Sequence, residues 1–316
     1  MDIRQLRYFV SIVEAGSFTA ASQQLRIAQP SLSQHVIGLE KELGVKLLER
    51  QPRGVRLTDE GATFIEHALA VLRSIDRAQE AVAARGDRIT GRVAIGLPTT
   101  VAPVLAASML EAAAKLLPGV FVHLVESHSG YLGEWLETGR LDIAVLFNVT
   151  NAEGLEVTPL ITEELQFISP GPAPKRARPI SLNEVGAFDL VMASPSHDLR
   201  RTLENAMFST IGRRPSIKAE IDSFHTVKQM VIAGYAHTVL PLSAVQRELR
   251  EGSLNARRIV HPSIERHAAM VSASRRLKTP AQQAAARLLQ DVARRLIAEG
   301  KWPGRAIPPS AKVHSG

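Results

Sequence analysis

Three short helical patterns follow one another within the first 45 residues, and a turn of three residues joins the second to the third. Thr19 is placed to cap the second pattern, Pro30 suits the first turn of the third, and Gly44 ends it. Two short helices joined by so short a turn predict a helix-turn-helix, whose second helix lies in the major groove of DNA. The positions of the third pattern that we expect to face inward are Leu32, Val36, Leu39 and Leu43.

Short polar side chains occupy the outward face of this third helix at its N-terminal end. Glutamine can pair with adenine through two hydrogen bonds, serine can bond several bases, and the free amides of a helix N-terminus suit phosphate. We therefore expect base reading here; the alternative is a solvated helix face that is polar by chance. The candidate DNA-binding residues of this helix are Gln29, Pro30, Ser31, Ser33 and Gln34, next to His35.

The segment from Gly44 to Thr58 alternates apolar and polar residues around a Pro and Gly turn, which predicts a β-hairpin. Arg50, Arg53 and Arg56 fall in or beside its tip. Arginines on such a wing can enter a minor groove or neutralise phosphates, and we take Arg50 and Arg53 as DNA-binding residues. The alternative is a charged loop that contacts only solvent.

A long helix is predicted to follow the hairpin. Thr58 is a suitable N-cap, Asp59 and Glu60 stand in the first turn, and apolar residues recur every three or four positions out to Arg85. So long a stripe favours packing against the same helix of a second chain. It can also be an ordinary core helix of the next domain.

Residues 86–91 look like a hinge, and after them the sequence alternates between strand and helix patterns, which is typical of a largely parallel sheet. A second set of such patterns begins near Glu163, a last helix returns to the first set, and residues 300–316 look like a frayed tail. The predicted elements are strand 92–97, helix 101–117, strand 120–126, helix 130–138, strand 141–147, strand 188–193, helix 197–208, strand 217–221, helix 223–233, strand 236–240 and helix 280–299.

The composition excludes several classes of function. The chain has no cysteine, which excludes disulfides, thiolate metal sites and cysteine nucleophiles. Its net charge of +7 is weak evidence for DNA binding, because residues 268–316 hold nine Lys and Arg against two Asp and Glu while the rest is balanced. Apolar runs are far shorter than the roughly 18 residues of a membrane span, and the first residues do not resemble an export signal. We therefore expect a cytoplasmic protein.

Many short motifs in order make the chain resemble the LysR-type transcriptional regulators. The resemblance covers roughly 1–297 and includes a "V.AG.G…LP" segment, in which Ala236 replaces a common Gly. Ala28 stands where the family commonly has Ser or Thr, which removes a hydroxyl cap from the recognition helix. The motifs include Leu6-Arg7-Tyr8-Phe9, Gly16-Ser17-Phe18-Thr19-Ala20-Ala21, Gln29-Pro30-Ser31-Leu32-Ser33, Leu47-Leu48-Glu49-Arg50, Leu57-Thr58-Asp59-Glu60-Gly61 and Leu141-Asp142-Ile143-Ala144.

The resemblance implies an α/β protein with an N-terminal winged helix-turn-helix, a long linker helix and a C-terminal two-lobed effector domain similar to periplasmic binding proteins. It implies promoter DNA, a small-molecule effector and a second copy as partners, in a dimer or tetramer, with RNA polymerase a further candidate, and it implies no cofactor, metal or membrane. The expected domains are 1–57 for the winged helix-turn-helix, 58–88 for the linker helix, 92–162 with 268–297 for lobe one, 163–267 for lobe two and 298–316 for a flexible tail.

Ser127, Tyr131 and Glu134-Trp135-Leu136 also resemble the nitrogen-assimilation-control branch of the family, whose members need not bind a small molecule. If there is an effector, we expect it where strands end and helices begin, and hydroxyls there suit an anion or another polar metabolite. Thr99 is the leading candidate; at any of these positions the alternative is a helix cap or loop residue. The candidate effector-binding residues are Thr99, Thr100, Ser127, His128, Asn148, Ser196, His197 and Thr226.

Two rival functions remain open at this point. An enzyme has little support, because no nucleophile-elbow, zinc-protease or nucleotide-binding motif occurs and the histidines are scattered. A plain solute-binding protein explains the two lobes but gives no reason for the first 85 residues.

Overall fold

The computed structural model describes residues 1–52, 54–83, 89–150, 153–174, 178–274 and 278–307. The chain divides into two compact units, the first comprising Met1–Arg85 with Thr138–Arg140 and the second comprising Gly86–Glu137 with Leu141–Gly316. Within the described ranges, no helix has both the length and the apolar character that a membrane crossing requires.

Three helices open the first unit, as the sequence predicts: α1 (Ile3–Ala15), α2 (Phe18–Leu25) and α3 (Gln29–Leu43). Asp2 caps α1 through a capping box with Gln5, and Gly16 ends the helix in the left-handed conformation that glycine adopts without strain. The turn from residue 26 to 28 separates α2 from α3, which confirms the helix-turn-helix. The core between the three helices is formed by Leu6, Phe9, Ile12, Phe18, Ala21, Leu32, Val36 and Leu39.

Two local expectations are wrong. Ser17, not Thr19, caps α2, because the Ser17 side chain accepts from the amide of Ala20 and the helix begins at Phe18. Leu43 does not face the core, since 38% of it is exposed, whereas Glu40 is buried instead. A buried carboxylate needs hydrogen-bond donors, and the backbone that follows α3 supplies them.

The predicted hairpin is present as β1 (Leu48–Gln51) and β2 (Gly54–Leu57), paired antiparallel. Gly54 has φ 139°, and a side chain there would place its Cβ 2.4 Å from the carbonyl oxygen of Gly16. The amide of Val55 donates to that same oxygen at 2.9 Å. The close approach of two glycines therefore fixes the wing against the turn between α1 and α2.

Helix α4 (Asp59–Ala83) follows, and the Thr58 hydroxyl caps it by accepting from the amide of Gly61. Its first half packs on the core of the three helices through Ala68, which is buried, and through partly buried residues such as Leu69 and Leu72. Val71 is 43% exposed. The helix is thus an ordinary core helix in its first half and still presents apolar surface to solvent.

The second unit begins with the predicted alternation of strands and helices. The elements are β3 (Gly91–Pro98), α5 (Ala102–Leu116), β4 (Val120–Ser127), α6 (Ser129–Glu137) and β5 (Ile143–Phe147). The three strands lie in the order β4, β3, β5 and are parallel. They form the parallel part of the sheet of lobe one, which continues beyond β5 with antiparallel strands from later in the chain.

Lobe two contains the next elements. A long strand, β6 (Leu155–Pro170), leads into it and pairs antiparallel with β12 (Glu265–Ala273), which leads back. Between them come β7 (Ile180–Ser181), α7 (Leu182–Val185), β8 (Asp189–Met192), α8 (Asp198–Ile211), β9 (Ser216–Glu220), α9 (Phe224–Ile232), β10 (Thr238–Pro241), α10 (Leu242–Glu251) and β11 (Leu254–Val260).

Each lobe has its own apolar core, and the two chain segments that connect the lobes contribute to both. On β6, Ile161 belongs to the core of lobe one and Leu165 to that of lobe two. On the return strand, Ile264 precedes β12 in the core of lobe two and Ala268 lies in that of lobe one. The chain therefore crosses between the lobes near Glu163 and its register partner Arg266.

The C-terminal helix α11 (Pro280–Ala298) packs on α5 in lobe one and is followed by β13 (Arg305–Ala306), which pairs with β6. The expected flexible tail over 298–316 is wrong for its described part, because Trp302 is fully buried in the core of lobe one. Burial of the apolar indole stabilises this segment more than its Gly and Pro residues destabilise it. Residues 308–316 of that expectation lie outside the described residues.

Candidate DNA-binding surface and interlobe cleft

The N-terminal end of α3 presents polar groups to solvent. Ala28 occupies the N-cap position and makes no side-chain capping bond, as the sequence indicates, so the first amides of α3 remain available to an anion. Four of the predicted base-reading residues are exposed, and Ser33 is half-buried. The exposed four are Gln29, Pro30, Ser31 and Gln34.

Arg50 lies against the recognition helix rather than at a free hairpin tip. Its guanidinium carbon is 4.6 Å from the centroid of the Phe18 ring, and its Nη2 donates a short hydrogen bond to Ser33 Oγ. Stacking on one residue while bonding another fixes the arginine in orientation. The wing is thus joined to both helices of the helix-turn-helix.

The other two arginines of the wing, Arg53 and Arg56, are not placed in this way by the described contacts. Arg56 pairs with Glu49 at 3.3 Å, with both side chains exposed. Such an exposed pair contributes little to stability and leaves the arginine able to exchange its partner for a phosphate. Arg53 lies outside the described residues.

Glu40 is a structural residue that the sequence pattern does not reveal. Its Oε1 accepts from the amides of Leu47 and Leu48 at 2.9 and 3.2 Å, and Lys46 Nζ reaches Oε2 at 2.7 Å. Burial opposes ionisation, but these donors outweigh it and hold the pKa of Glu40 below its ordinary value of 4.5. The carboxylate therefore ties the end of α3 to the start of the wing.

A small cleft lies between the two lobes of the second unit. Its volume is about 20 Å³, which is room for about one water molecule. Thr99 and Thr100 line it from lobe one, at the point where β3 gives way to α5, as the sequence predicts. The full lining is Pro98, Thr99, Thr100, His128, Ser129, Phe147, His197, Asp198, Leu199, Phe224 and Arg266.

A buried ion pair forms one wall of the cleft. Arg266 and Glu163 are 2% and 0% exposed, and Arg266 Nη2 lies 2.7 Å from Glu163 Oε2. Arg266 Nη2 also donates to Thr100 Oγ1 at 2.9 Å. Glu163 Oε1 in turn accepts from Ser243 at 2.6 Å and from the Trp302 indole at 2.8 Å. The positive charge of Arg266 is therefore already balanced within the protein.

Two imidazoles meet across the cleft. His128 follows β4 in lobe one, His197 precedes α8 in lobe two, and their ring centroids are 3.6 Å apart. Burial, together with His128, lowers the pKa of His197 to about 4, although Asp222 acts to raise it. Burial also lowers the pKa of His128. Both rings are therefore neutral at pH 7.

Asn148 makes a second link between the lobes. It follows β5 with φ 49°, and its Nδ2 donates to Asp198 Oδ2 and Thr202 Oγ1, both at 3.2 Å. Its Oδ1 accepts from the amide of His267 at 3.0 Å. An Asn held in the left-handed region by bonds on both sides is well fixed in position.

The structure thus brings together Thr99, Thr100, His128 and His197 in one cleft, with Asn148 beside it. It does not bring in Ser127, Ser196 or Thr226, which are not among the lining residues. Ser196 Oγ bonds Ser194 Oγ at 2.9 Å, and Thr226 is in the capped first turn of α9. Arg266 is not among the residues predicted from the sequence; it stands between Glu265 and His267 at the start of a strand whose later residues are mostly apolar. Within the described ranges, no three His, Asp or Glu side chains are grouped as a metal site requires.

Comparison with known proteins gives the same division of the chain. Residues 3–62 match the family model "Bacterial regulatory helix-turn-helix protein, lysR family", and residues 86–294 match the "LysR substrate binding domain". The nitrogen assimilation regulatory protein nac of Klebsiella aerogenes is 33% identical over 302 residues, which cover 95% of this chain and 98% of that protein.

Two further relatives extend the comparison. A hydrogen peroxide-inducible genes activator of Haemophilus influenzae is 31% identical over 249 residues, covering 78% of this chain and 82% of its own. The solved structure of a full-length OxyR variant from Pseudomonas aeruginosa matches with a TM-score of 0.68 and 26% identity, covering 93% of this chain and 95% of that one. The chain belongs to the LysR family of transcriptional regulators, with a helix-turn-helix DNA-binding domain and a two-lobed effector-binding domain, and it is not an enzyme.

Proposed function

We propose that this protein regulates promoters by reading DNA with the N-terminal end of α3, and that Gln29 and Ser33 contact base edges while Arg50 sets their position. The observation that carries the proposal is the Arg50 guanidinium, which stacks on Phe18 and bonds Ser33 Oγ. This contact fixes the wing to the reading helix before DNA is bound. Preorganisation of this kind reduces the entropy lost when the complex forms.

We further propose that a second copy of the chain is the partner of α4, giving a dimer or tetramer, and that the regulator acts in the cytoplasm on promoter DNA with RNA polymerase as a later partner. Apolar surface on α4 supports the dimer, since Val71 is 43% exposed. Two copies related by symmetry would read two half-sites.

The effector we propose is a small polar metabolite bound between the lobes at Thr99 and Thr100. An anion is disfavoured while both imidazoles are neutral, because Arg266 is already paired with Glu163 and Asp198 adds a carboxylate to the lining. A thiol-based response to peroxide is excluded, since the chain contains no cysteine. The cavity of about 20 Å³ must enlarge to admit any metabolite.

Base reading is tested with Gln29→Ala and Ser33→Ala in the full chain. Gln29→Ala should lower the affinity for the target promoter by about 1–3 kcal/mol per base contact removed, and leave the affinity for random DNA nearly unchanged. Ser33→Ala also removes the acceptor of the Arg50 hydrogen bond, so it should lower the promoter affinity and, through the wing, weaken binding to random DNA as well. Fluorescence anisotropy at matched salt measures both affinities. Gln283→Ala, an exposed glutamine on α11, is the matched control. Promoter affinities equal to wild type in both variants would contradict base reading by this helix.

A further inference from the structure

The two lobes are held against each other by the chain's own side chains. We call His128, His197, Asn148 and Asp198 the interlobe latch. The two histidine rings contact each other with their centroids 3.6 Å apart and their planes inclined by 51°, and the Asn148 amide donates to the Asp198 carboxylate at 3.2 Å. Each of these contacts joins lobe one to lobe two. The backbones also approach closely beside them, since a Cβ on Gly130 would lie 3.9 Å from the carbonyl oxygen of Ser196.

The histidine pair is poorly supplied with hydrogen bonds. His128 Nδ1 and His197 Nε2 are buried, and neither makes a well-aligned hydrogen bond within the described residues, although Asp222 lies within ion-pair distance of His197 Nε2. His197 is 4% exposed. Buried nitrogens without well-aligned hydrogen bonds are costly, so polar bonding of the two imidazoles contributes little to the stability of this contact.

The charges around the pair come from several elements. Asp222 follows β9, and its Oδ1 lies 3.3 Å from His197 Nε2. Asp198 and Arg201 stand on α8, with Arg201 disfavouring a proton on His197. On β12, the charge of Arg266 is balanced by Glu163. Asp222 is the group that favours protonation, and it does not overcome the burial of the ring.

We propose that the interlobe latch keeps the effector cleft shut while both imidazoles are neutral, and that uptake of a proton by the pair opens the lobes. A charged imidazole is solvated in the open form and buried in the closed one, so protons favour opening. The inference rests on the proposed effector cleft, and it adds that ligand entry is linked to protonation.

The size of the effect follows from linkage. A ring whose pKa is about 4 when closed and 6.5 when solvated binds protons more strongly in the open form. Between pH 7.5 and pH 5.5, His197 alone should raise the ratio of open to closed protein about tenfold.

The absence of natural cysteine allows a clean distance measurement in the full chain. Spin labels on cysteines introduced at Glu111 of α5 and Thr210 of α8, both exposed, report the separation of the lobes by double electron–electron resonance. Labelled chains are diluted with unlabelled ones so that only distances within a chain are seen. We expect a longer distance to gain population as the pH falls from 7.5 to 5.5.

Substitutions at the two histidines test the cause. A double variant, His128→Phe with His197→Phe, keeps both rings in place but cannot be protonated there, so its distances should not change with pH. His197→Phe alone should respond to pH less than wild type does. His128→Lys should open the lobes at pH 7.5, whereas His123→Lys, at an exposed position of β4, should not. Circular dichroism checks that each variant is folded.

The latch is overturned if wild-type distances are the same at both pH values, or if the double Phe variant responds to pH as wild type does. Because the measurement uses neither DNA nor ligand, such a result leaves the proposed promoter binding standing. Conversely, a loss of base reading in the Gln29 and Ser33 experiment has no bearing on these distances.

Discussion

Two single residues fix the recognition helix α3 to the wing. Arg50 and Glu40 both join α3 to the wing, one through a stacked guanidinium and the other through a buried carboxylate. The position of Arg50 near the hairpin tip predicts that it binds DNA, but the sequence does not predict its contact with Ser33. The sequence predicts no role for Glu40, because nothing in a helical pattern shows that the backbone after the helix will supply donors to a carboxylate.

Glu40 gives a stability prediction with a defined dependence on pH. Because its pKa is lowered in the folded protein, its stabilising effect is fully present above the ordinary value of 4.5 and is lost as the pH falls through the folded value. Glu40→Gln should therefore lower the free energy of unfolding at pH 7 by about 1–3 kcal/mol. The difference from wild type should shrink in acid.

Chemical denaturation at pH 7 and pH 4 measures this difference. Glu14→Gln is the matched control, since Glu14 is exposed on α1. A loss of the same size at the two pH values would mean that ionisation of Glu40 is not what stabilises the end of α3.

At the scale of elements, local signals were sufficient for part of the fold. The short helices, the hairpin and the strands and helices of lobe one lie close to their predicted ranges, because periodicity, caps and turns are encoded within a few residues. The long strands β6 and β12 were missed. Their partners lie about a hundred positions apart in sequence, as with Glu163 and Arg266, so no local pattern identifies them.

The end of the chain shows the same limit. Trp302 lies among Gly and Pro residues that are typical of a loop, yet it is buried and donates to Glu163. Burial of a large aromatic ring favours an ordered backbone around it, but only the tertiary structure reveals the acceptor of its indole N–H. The candidate site is predictable only in part. The ends of predicted strands indicate its threonines and histidines, whereas Arg266 reaches the cleft only because the chain crosses there between the lobes.

Helix α4 carries the prediction on assembly. Val71 is 43% exposed, so a charge there costs the folded chain little, whereas at an interface between two copies it would be buried without a partner. Val71→Glu should shift the protein from its native mass toward the monomer. Leu72, which the apolar stripe also includes, is a poorer choice because it packs on the core of the first unit.

Light scattering over a range of concentrations measures the mass. Ala62→Glu adds the same charge to an exposed position of α4 on the opposite face, since nine residues turn a helix by about half a revolution relative to Val71. If Val71→Glu keeps the mass of wild type, α4 does not form the subunit interface at Val71.

At the scale of the whole molecule, regulation requires that the effector domain have two states that differ in their affinity for a ligand. A ligand with equal affinity for both states cannot shift their populations. In the mechanism that we propose, the small cleft and the interlobe latch characterise the closed state. The net charge of +7 is weak evidence for DNA binding, because the excess of positive charge lies in residues 268–316 and not in the helix-turn-helix.

The central claim is sequence-specific recognition of promoter DNA, and its most direct test is selection of bound genomic fragments followed by footprinting across a salt series. We expect short protected sites upstream of genes, with a two-fold symmetric pattern and an affinity at least about a thousandfold above that for random DNA. Affinity should fall as salt rises, in proportion to the phosphates contacted. Equal binding to promoter and random fragments at every salt concentration, without a protected site, would contradict the account.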